Sequence, residues 1–235
     1  MKKMRGAPLN IPEITNCYGQ TEISPISHQT PRDCSLEHLF TSVGKTVNNV
    51  ESKIIDKKGR LVPIGEIGEL CSRGFGTMIG YWGDEEKTNQ LITRQGWVHS
   101  GDLAVMDSEG YTSIIGRSKD MIIRGGENVY PKEIEEHLLT HDNIEDVQVF
   151  GVDSEVYGEE IFAWIKLKDE SKTSRKDIYD FCHKQIAHFK VPKYVDFIRD
   201  FPITVTGKYQ KYKMTEQVKN QAAKNPELWE TWKIR

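Results

Sequence analysis

The most informative stretch of this chain is Gly116-Arg-Ser-Lys-Asp-Met-Ile-Ile-Arg-Gly-Gly-Glu-Asn-Val-Tyr-Pro-Lys-Glu-Ile-Glu135. Charged residues cluster at its start, an apolar triplet and a glycine pair follow, and Pro131 opens a segment of helical character. Proline suits the first position of a helix, because its missing N–H would have no partner there. This order of features predicts a hinge that leads into a mobile lid, and mobile lids usually close over reactive intermediates.

Upstream of this stretch the chain is rich in glycine, turns and short apolar runs. Strands are predicted at residues 66–72, 97–99, 103–106 and 111–115. Downstream the pattern alternates between helices and strands. A helix begins at Pro131, a capping box from Ser174 to Asp177 opens a second helix, and strands are predicted at 147–149, 161–167 and 194–198.

We therefore expect an α+β chain with a β-rich remnant of a large N-terminal domain followed by a small α+β lid domain. The predicted boundaries are 1–116 for the part of the large domain, 117–120 for the hinge, 121–215 for the lid and 216–235 for a tail. From Lys208 onward the chain has seven Lys or Arg against three Asp or Glu. Runs of charge usually mark solvated faces, so the tail is predicted to be a solvated helix.

Composition excludes several classes of function. The 235 residues carry a formal net charge of -3, which argues against wholesale binding to nucleic acid or to membranes. No apolar run approaches the ~20 residues that span a bilayer. The cysteines are scattered, which favours free thiols in an intracellular reducing compartment and disfavours a zinc site; they are Cys17, Cys34, Cys71 and Cys182. Residues 10–30 resemble the middle of a domain, so we expect the chain to be the C-terminal part of a longer protein.

Each chemically suggestive motif is weak when taken alone. Tyr18-Gly-Gln-Thr-Glu22 could stack on a base and hold Mg²⁺, yet a surface loop explains it as well. Asp102 follows a glycine turn and could accept ribose hydroxyls, and Lys208 follows a flexible glycine. The run from Gly74 to Gly80 has the wrong spacing for a dinucleotide loop, so it is interpreted as a tight turn that faces the substrate.

The histidines give no evidence of a metal site or of a catalytic pair. His99, His137, His183 and His188 show no spacing typical of metal ligands and no obvious nucleophilic partner. They are therefore predicted to be ordinary surface or core residues.

Taken together and in this order, five motifs resemble the adenylate-forming superfamily of acyl-CoA synthetases, luciferases and peptide-synthetase adenylation domains. They are Tyr18–Glu22, Gly68-Glu-Leu with Gly80-Tyr-Trp82, Trp97–Asp102, Gly116–Glu135 and Pro202–Lys208. The runs from Gly116 to Asn128 and from His188 to Tyr194 look especially similar to the mitochondrial medium-chain fatty acid–CoA ligases of that superfamily.

This resemblance implies a reaction in two steps. A carboxylate attacks the α-phosphate of Mg·ATP to give an acyl-adenylate and pyrophosphate, and the thiol of CoA then displaces AMP. Mg²⁺ is the implied cofactor, and ATP, CoA and a medium-chain fatty acid are the implied small-molecule partners. The resemblance also implies a mitochondrial location, and it leaves the oligomeric state open.

The resemblance assigns roles to individual residues. Tyr18 would stack on adenine, Thr21 would contact phosphate, and Glu22 would hold Mg²⁺. Asp102 would bind the ribose hydroxyls with Arg117 beside it. The remaining roles fall on the lid: Lys208 would bridge the substrate carboxylate and the α-phosphate, the lid would rotate about Lys119, and Gly125 and Gly126 would line the CoA tunnel.

Two departures from the family pattern affect this interpretation. Ser100 stands where the family usually has threonine, and a hydroxyl is retained. The family's Ser/Thr/Gly-rich phosphate loop is not found in this sequence, so the chain alone is expected to be inactive. The alternative is a truncated product that is catalytically inactive or binds a partner. A peptide-synthetase module and a luciferase-like oxidation are further alternatives that the motifs leave open.

Overall fold

The computed structural model describes residues 13–168 and 172–234. The chain divides between Ser118 and Lys119 into two compact units, here called the first unit and the second unit. The division lies within the predicted 117–120 segment, whose action as a hinge stays a prediction. The fold class is confirmed, since a β-rich first unit is followed by an α+β second unit.

The described part of the first unit contains two antiparallel sheets. The smaller sheet has the order β1-β2-β3, with strands Cys17–Tyr18, His28–Gln29 and Lys45–Thr46. The larger has the order β4-β5-β6-β7, with strands Val50–Ile55, Gly68–Gly74, Val98–Met106 and Thr112–Arg117. The described part of this unit also has two short helices, α1 (Leu36–Thr41) and α2 (Glu85–Leu91). The side chain of Ser35 caps the N-terminus of α1, and the side chain of Asp84 caps that of α2.

The predicted strands at 97–99 and 103–106 form one strand, β6, with a bulge between them. On β5 a single residue separates Glu69 from Cys71, whereas three residues of β6 separate their partners, Leu103 and His99. Residues 100–102 therefore have no Cα partner on β5. A bulge of this kind bends the strand and re-aims a side chain, and here it places Asp102 at the edge of the irregularity.

The second unit is built on a five-stranded sheet with helices on both faces. Its strands are β8 (Ile122–Arg124), β9 (Glu127–Val129), β10 (Ile144–Ser154), β11 (Gly158–Leu167) and β12 (Tyr194–Phe197). β11 pairs with β10 and β8 in antiparallel fashion and with β12 in parallel. Its helices are α3 (Pro131–Leu138), α4 (Arg175–Cys182), α5 (Lys211–Lys224) and α6 (Leu228–Trp232).

Alternation along the central strands explains the two helical layers. Successive residues of a strand point to opposite faces, so Ile161 and Ala163 of β11 face one core and Phe162 and Trp164 face another. The first core is closed by apolar residues of α3 and α4, which are Ile134, Leu138, Ile178 and Cys182. The second is closed by residues of α5 and α6, which are Met214, Val218, Ala222 and Trp232.

Two local predictions for this unit are confirmed. Pro131 is the first residue of α3, and the capping box at α4 has both of its bonds, between Ser174 and Asp177. The tail is helical as predicted, but the prediction that it is solvated is wrong for one face of α5. Met214, Val218 and Ala222 recur every four residues, so one face of α5 is apolar and lies on the sheet while its charges point outward. Across the described residues, no helix is both long enough and apolar enough to span a bilayer.

Candidate functional site

Two residues from other parts of the sequence, Tyr18 and Arg117, contact the Asp102 carboxylate in the first unit. The Tyr18 hydroxyl donates a hydrogen bond to Oδ2 at 2.5 Å, and Nε of Arg117 lies 3.2 Å from Oδ1. Asp102 is buried, with 12% of its side chain exposed, whereas Arg117 is half exposed. A carboxylate has about four acceptor positions, so these partners leave room for two further donors such as a pair of adjacent hydroxyls.

Elements of both sheets bring this trio together. Asp102 and Arg117 are direct cross-strand partners on β6 and β7. Tyr18 lies on β1, and its ring packs against the small core formed by Ile54, Leu70 and Ala104. Burial, followed by the hydrogen bond to Asp102, raises the pKa of Tyr18 well above its usual range. The phenol therefore stays protonated and remains a donor to the carboxylate.

The turn before Asp102 depends on a glycine and on the Ser100 hydroxyl. Gly101 has a φ of +71°, which lies in the left-handed region that glycine adopts without strain. The backbone N–H of Asp102 donates to Oγ of Ser100 at 3.0 Å. Ser100 therefore holds the turn through its hydroxyl, a group that the usual threonine would also supply.

A second polar group lies on the β5 side of the bulge, formed by Glu69, Cys71 and His99, here called the Glu69 cluster. Its three ligand-type atoms lie within 4.8 Å of one another. Oε2 of Glu69 is 2.9 Å from Nδ1 of His99, Oε1 accepts from the N–H of Gly101 at 3.0 Å, and Sγ of Cys71 is 3.7 Å from the same Nδ1. Hydrogen bonds within the protein thus already use both carboxylate oxygens.

The interpretation of His99 as an ordinary residue without an obvious nucleophilic partner is wrong, because its ring contacts both Cys71 and Glu69. Cys71 and His99 are Cα partners across β5 and β6, and Glu69 shares a face with Cys71 two residues away. The register of the two strands makes this contact, and a bulge sets that register, so sequence spacing gave no signal. Burial, followed by the Glu69 charge, raises the pKa of the Cys71 thiol to about 12, which keeps it protonated.

The motif that starts at Tyr18 continues into a 3-10 turn that holds Glu22. Ile23 is buried and anchors this turn, which spans Thr21–Ile23, while Thr21 is exposed. Oε1 of Glu22 accepts a hydrogen bond from the Tyr81 hydroxyl at 2.6 Å. Two motifs that lie 59 residues apart are joined by this bond.

Close packing explains why one residue of the glycine-rich run between residues 74 and 80, Gly76, is a glycine. A Cβ added to Gly76 would lie 2.3 Å from the carbonyl oxygen of Ile23, a distance that no side chain tolerates. Close backbone approach therefore requires glycine at this position, and the approach holds the run beside the Glu22 turn.

In the second unit, Lys208 lies at the end of a tight turn that begins at Thr204. The N–H of Thr204 donates to the carbonyl of Lys208 at 2.8 Å, and the N–H of Lys208 donates to Oγ1 of Thr204 at 3.0 Å. Gly207 has a φ of +81°, as this turn requires. The backbone is thus fixed while the Lys208 side chain is exposed. Lys119 is also exposed, in the 3-10 turn Ser118–Asp120.

The glycine pair forms the turn between β8 and β9, with φ values of +60° at Gly125 and +89° at Gly126. The preceding residue, Arg124, anchors this hairpin in the unit. Its guanidinium makes two parallel hydrogen bonds to Glu160, from Nε to Oε2 at 2.9 Å and from Nη2 to Oε1 at 3.0 Å. Glu160 has only 1% of its side chain exposed, so the hairpin is tied to β11 by a buried ion pair.

Family models match both units of the chain. A model described as AMP-binding enzyme matches residues 1–82, and one described as AMP-binding enzyme C-terminal domain matches residues 133–208. The bovine (Bos taurus) protein "Medium-chain acyl-CoA ligase ACSF2, mitochondrial" is 44% identical over 211 residues, which are 89% of this chain and 34% of that protein. The "Putative acyl-CoA synthetase YngI" of Bacillus subtilis is 46% identical over 210 residues, 89% of this chain and 38% of that protein. The chain thus spans about a third of the length of these relatives.

Solved structures show the same similarity. The ATP-bound MatB of Rhodopseudomonas palustris superposes with a TM-score of 0.82 at 32% identity, covering 88% of this chain and 41% of that one. The o-succinylbenzoate coenzyme A synthetase of Bacillus subtilis, in complex with AMP, superposes with a TM-score of 0.81 at 27% identity. That superposition covers 91% of this chain and 42% of the synthetase.

Proposed function

Because this chain belongs to the family of AMP-binding enzymes, we propose that it supplies nucleotide-binding and lid residues of an ATP-dependent acyl-CoA synthetase. In the first step a carboxylate oxygen attacks the α-phosphorus of ATP, and pyrophosphate leaves. In the second step the CoA sulfur attacks the acyl carbonyl, the thiol proton is released, and AMP leaves. The names of the relatives support a fatty acid of medium chain length as the substrate and the mitochondrion as the location.

The observation that carries the proposal is the arrangement of Tyr18 and Arg117 around Asp102. A buried carboxylate with free acceptor positions is suited to the two hydroxyls of a ribose, which need two acceptors close together. Tyr18 and Arg117 hold the carboxylate from two sides and leave it preorganised. Arg117 also places a positive charge where a phosphate or a ribose oxygen would lie. The Tyr18 ring remains the proposed stacking surface for adenine.

Glu22 is the proposed Mg²⁺ ligand, and its chemistry fits the ion. Mg²⁺ keeps several waters and is usually bound by one or two carboxylates together with substrate phosphates. Glu22 offers one carboxylate, and Tyr81 uses only one of its oxygens. When bound, the ion would neutralise charge on the triphosphate. Thr21, exposed at the start of the same turn, is the proposed hydroxyl donor to phosphate.

Four residues of the second unit complete the proposal. Lys208 would place its ammonium between the substrate carboxylate and the α-phosphate, two anions that repel each other. A preorganised cation there lowers the barrier electrostatically, and removing one such group typically costs about 3–4 kcal/mol. Lys119 is the proposed hinge. Gly125 and Gly126 are the proposed wall of the CoA tunnel, since a backbone without side chains allows a ligand to approach closely.

Binding of AMP to the chain, measured by isothermal titration calorimetry, tests the proposal. Asp102→Ala should weaken AMP binding by about 10-fold to 100-fold, because charge-assisted hydrogen bonds contribute about 1.5–3 kcal/mol. Glu109→Ala, which removes an exposed acid from the turn between β6 and β7, is the matched control and should bind AMP like the wild type. Equal affinity of the Asp102 variant and the wild type would overturn the role of Asp102.

A turnover assay tests the reaction separately. The assay measures the release of AMP from ATP, CoA and octanoate, and any such activity should depend on Lys208. Lys208→Ala should lower the rate by about 100-fold to 1,000-fold, as expected for loss of one preorganised electrostatic group. An unchanged rate in this variant would exclude Lys208 from catalysis.

A further inference from the structure

We propose that Glu69 is a positioning residue for Asp102: its carboxylate holds the bulge of β6 that presents the Asp102 side chain. The inference deepens the proposed function, on which it rests for the identity of the ligand at Asp102. Glu69 itself lies on β5 and would touch neither nucleotide nor acyl group. Its action is exerted through the backbone of residues 99–102.

The need for such a residue follows from the register of β5 and β6. Paired strands satisfy their backbone groups by bonding to each other, and the two additional residues of β6 interrupt that pairing. Gly101 is one of the residues of β6 that have no Cα partner on β5. Left without an acceptor, the N–H of Gly101 would be an unsatisfied donor, and Gly101 is also the residue of the bulge with the greatest backbone freedom.

The Glu69 carboxylate supplies the missing acceptor. Oε1 accepts from Gly101 N–H at 3.0 Å, while Oε2 is bonded to Nδ1 of His99 at 2.9 Å. The two bonds reach residues on either side of Ser100, so one rigid carboxylate spans the bulge. Glu69 is itself fixed by the β5 backbone, and only 27% of its side chain is exposed. Partial burial strengthens both bonds relative to a fully solvated pair.

The bulge is also fixed on its other side, at Asp102. Asp102 pairs with Arg117 of β7, and its N–H bonds to Ser100 within the turn. Glu69 thus restrains the start of the turn and Arg117 restrains its end. Removal of Glu69 would leave Arg117 and Tyr18 bonded to a carboxylate whose backbone can shift. We therefore expect the variant to lose affinity selectively for the ligand groups that Asp102 contacts.

The experiment compares Glu69→Ala and Glu69→Gln with the control Glu66→Ala, which removes an exposed carboxylate three residues upstream. Amide hydrogen exchange of Gly101, followed by NMR, reports directly on the bulge. Calorimetric titrations with AMP and with 2′,3′-dideoxy-AMP report on Asp102, because only AMP carries the two ribose hydroxyls. The ratio of the two affinities separates a shift of Asp102 from a general loss of stability.

In Glu69→Ala we expect Gly101 to exchange about tenfold faster and the preference for AMP over the dideoxy nucleotide to fall about tenfold, as for loss of a charge-assisted bond. Glu69→Gln keeps an acceptor oxygen for Gly101 and should give intermediate values. The control should match the wild type in both measurements.

Two results would overturn the proposal: an unchanged exchange rate at Gly101, or equal weakening of both nucleotides in Glu69→Ala. The second would show a merely structural role. If the wild-type chain binds no AMP, the proposed function fails for this chain. Gly101 exchange in the same samples then decides by itself whether Glu69 holds the bulge.

Discussion

The buried ion pair between Arg124 and Glu160 should dominate the stability of the hairpin that carries the glycine pair. The perturbation is Glu160→Gln, which keeps the shape of the side chain and removes its charge. Glu160 is almost completely buried and accepts two bonds from the Arg124 guanidinium, and Nζ of Lys193 lies 3.8 Å away. The variant therefore leaves two cations near a buried position that no longer holds an anion.

The size of the effect follows from this geometry. Removal of one partner of a buried ion pair typically destabilises a protein by about 3–5 kcal/mol, compared with about 0–1 kcal/mol for a pair at the surface. Arg124 retains a bond to the carbonyl of Phe189 at 3.2 Å, which favours the lower end of that range. We therefore expect a loss of about 3 kcal/mol in the free energy of unfolding of the second unit. The midpoint of its thermal transition should fall by about 10 °C.

Urea denaturation followed by tryptophan fluorescence measures this loss, because Trp164, Trp229 and Trp232 all belong to the core of the second unit that α5 and α6 close. Lys176→Ala is the matched control, since it breaks an exposed i,i+4 pair and should cause no measurable change. The double change of Arg124→Met with Glu160→Leu should recover part of the loss, because the buried guanidinium is then removed together with its partner and only the partly exposed Lys193 keeps a charge nearby. Destabilisation by Glu160→Gln no greater than in the control would refute the reasoning.

Two further predictions concern titrating groups. Burial lowers the pKa of His28 to about 4. Between about pH 6.5 and pH 4 the unfolded state therefore binds more protons than the native state, and the free energy of unfolding decreases as the pH is lowered, by up to about 3 kcal/mol. Urea titrations at pH 7 and pH 4.5 should show this loss in the wild type and not in His28→Gln; equal losses in both would contradict it. Burial also raises the thiol pKa values of Cys71 and Cys182 to about 12, so in the native protein at pH 8 a disulfide reagent should label the exposed Cys17 and spare both. Mass spectrometry of the labelled protein checks this, and rapid labelling of either buried thiol would contradict it.

Local signals in the sequence predicted the elements of the second unit well. The start of α3 at Pro131 and the capping box at Ser174 depend on residues within one turn of a helix, so they are readable without tertiary information. The packing of α5 could have been predicted as well. The four-residue recurrence of Met214, Val218 and Ala222 indicates an apolar face, although the same segment also carries an excess of basic residues, which is typical of a solvated helix.

Only part of the candidate site could be predicted from the sequence. Resemblance to a family singled out Tyr18 and Asp102, but the bond between them joins residues 84 positions apart and exists only in the folded sheet. The Glu69 cluster was missed for the same reason. A bulge shifts the register of β6 against β5, and no periodic pattern in either strand reveals such a shift.

The two-faced sheet of the second unit has a consequence for synthesis on the ribosome. The β10–β11 hairpin can form as soon as it emerges, because its pairing is local. Phe162 and Trp164 then present one aromatic face to water until α5 and α6 have been translated, and the ring of Trp232 reaches Phe162 only after 70 more residues. A nascent chain that has just completed β11 is therefore a target for chaperones that bind aromatic surfaces, and translational pausing between β12 and α6 would lengthen its exposure to aggregation.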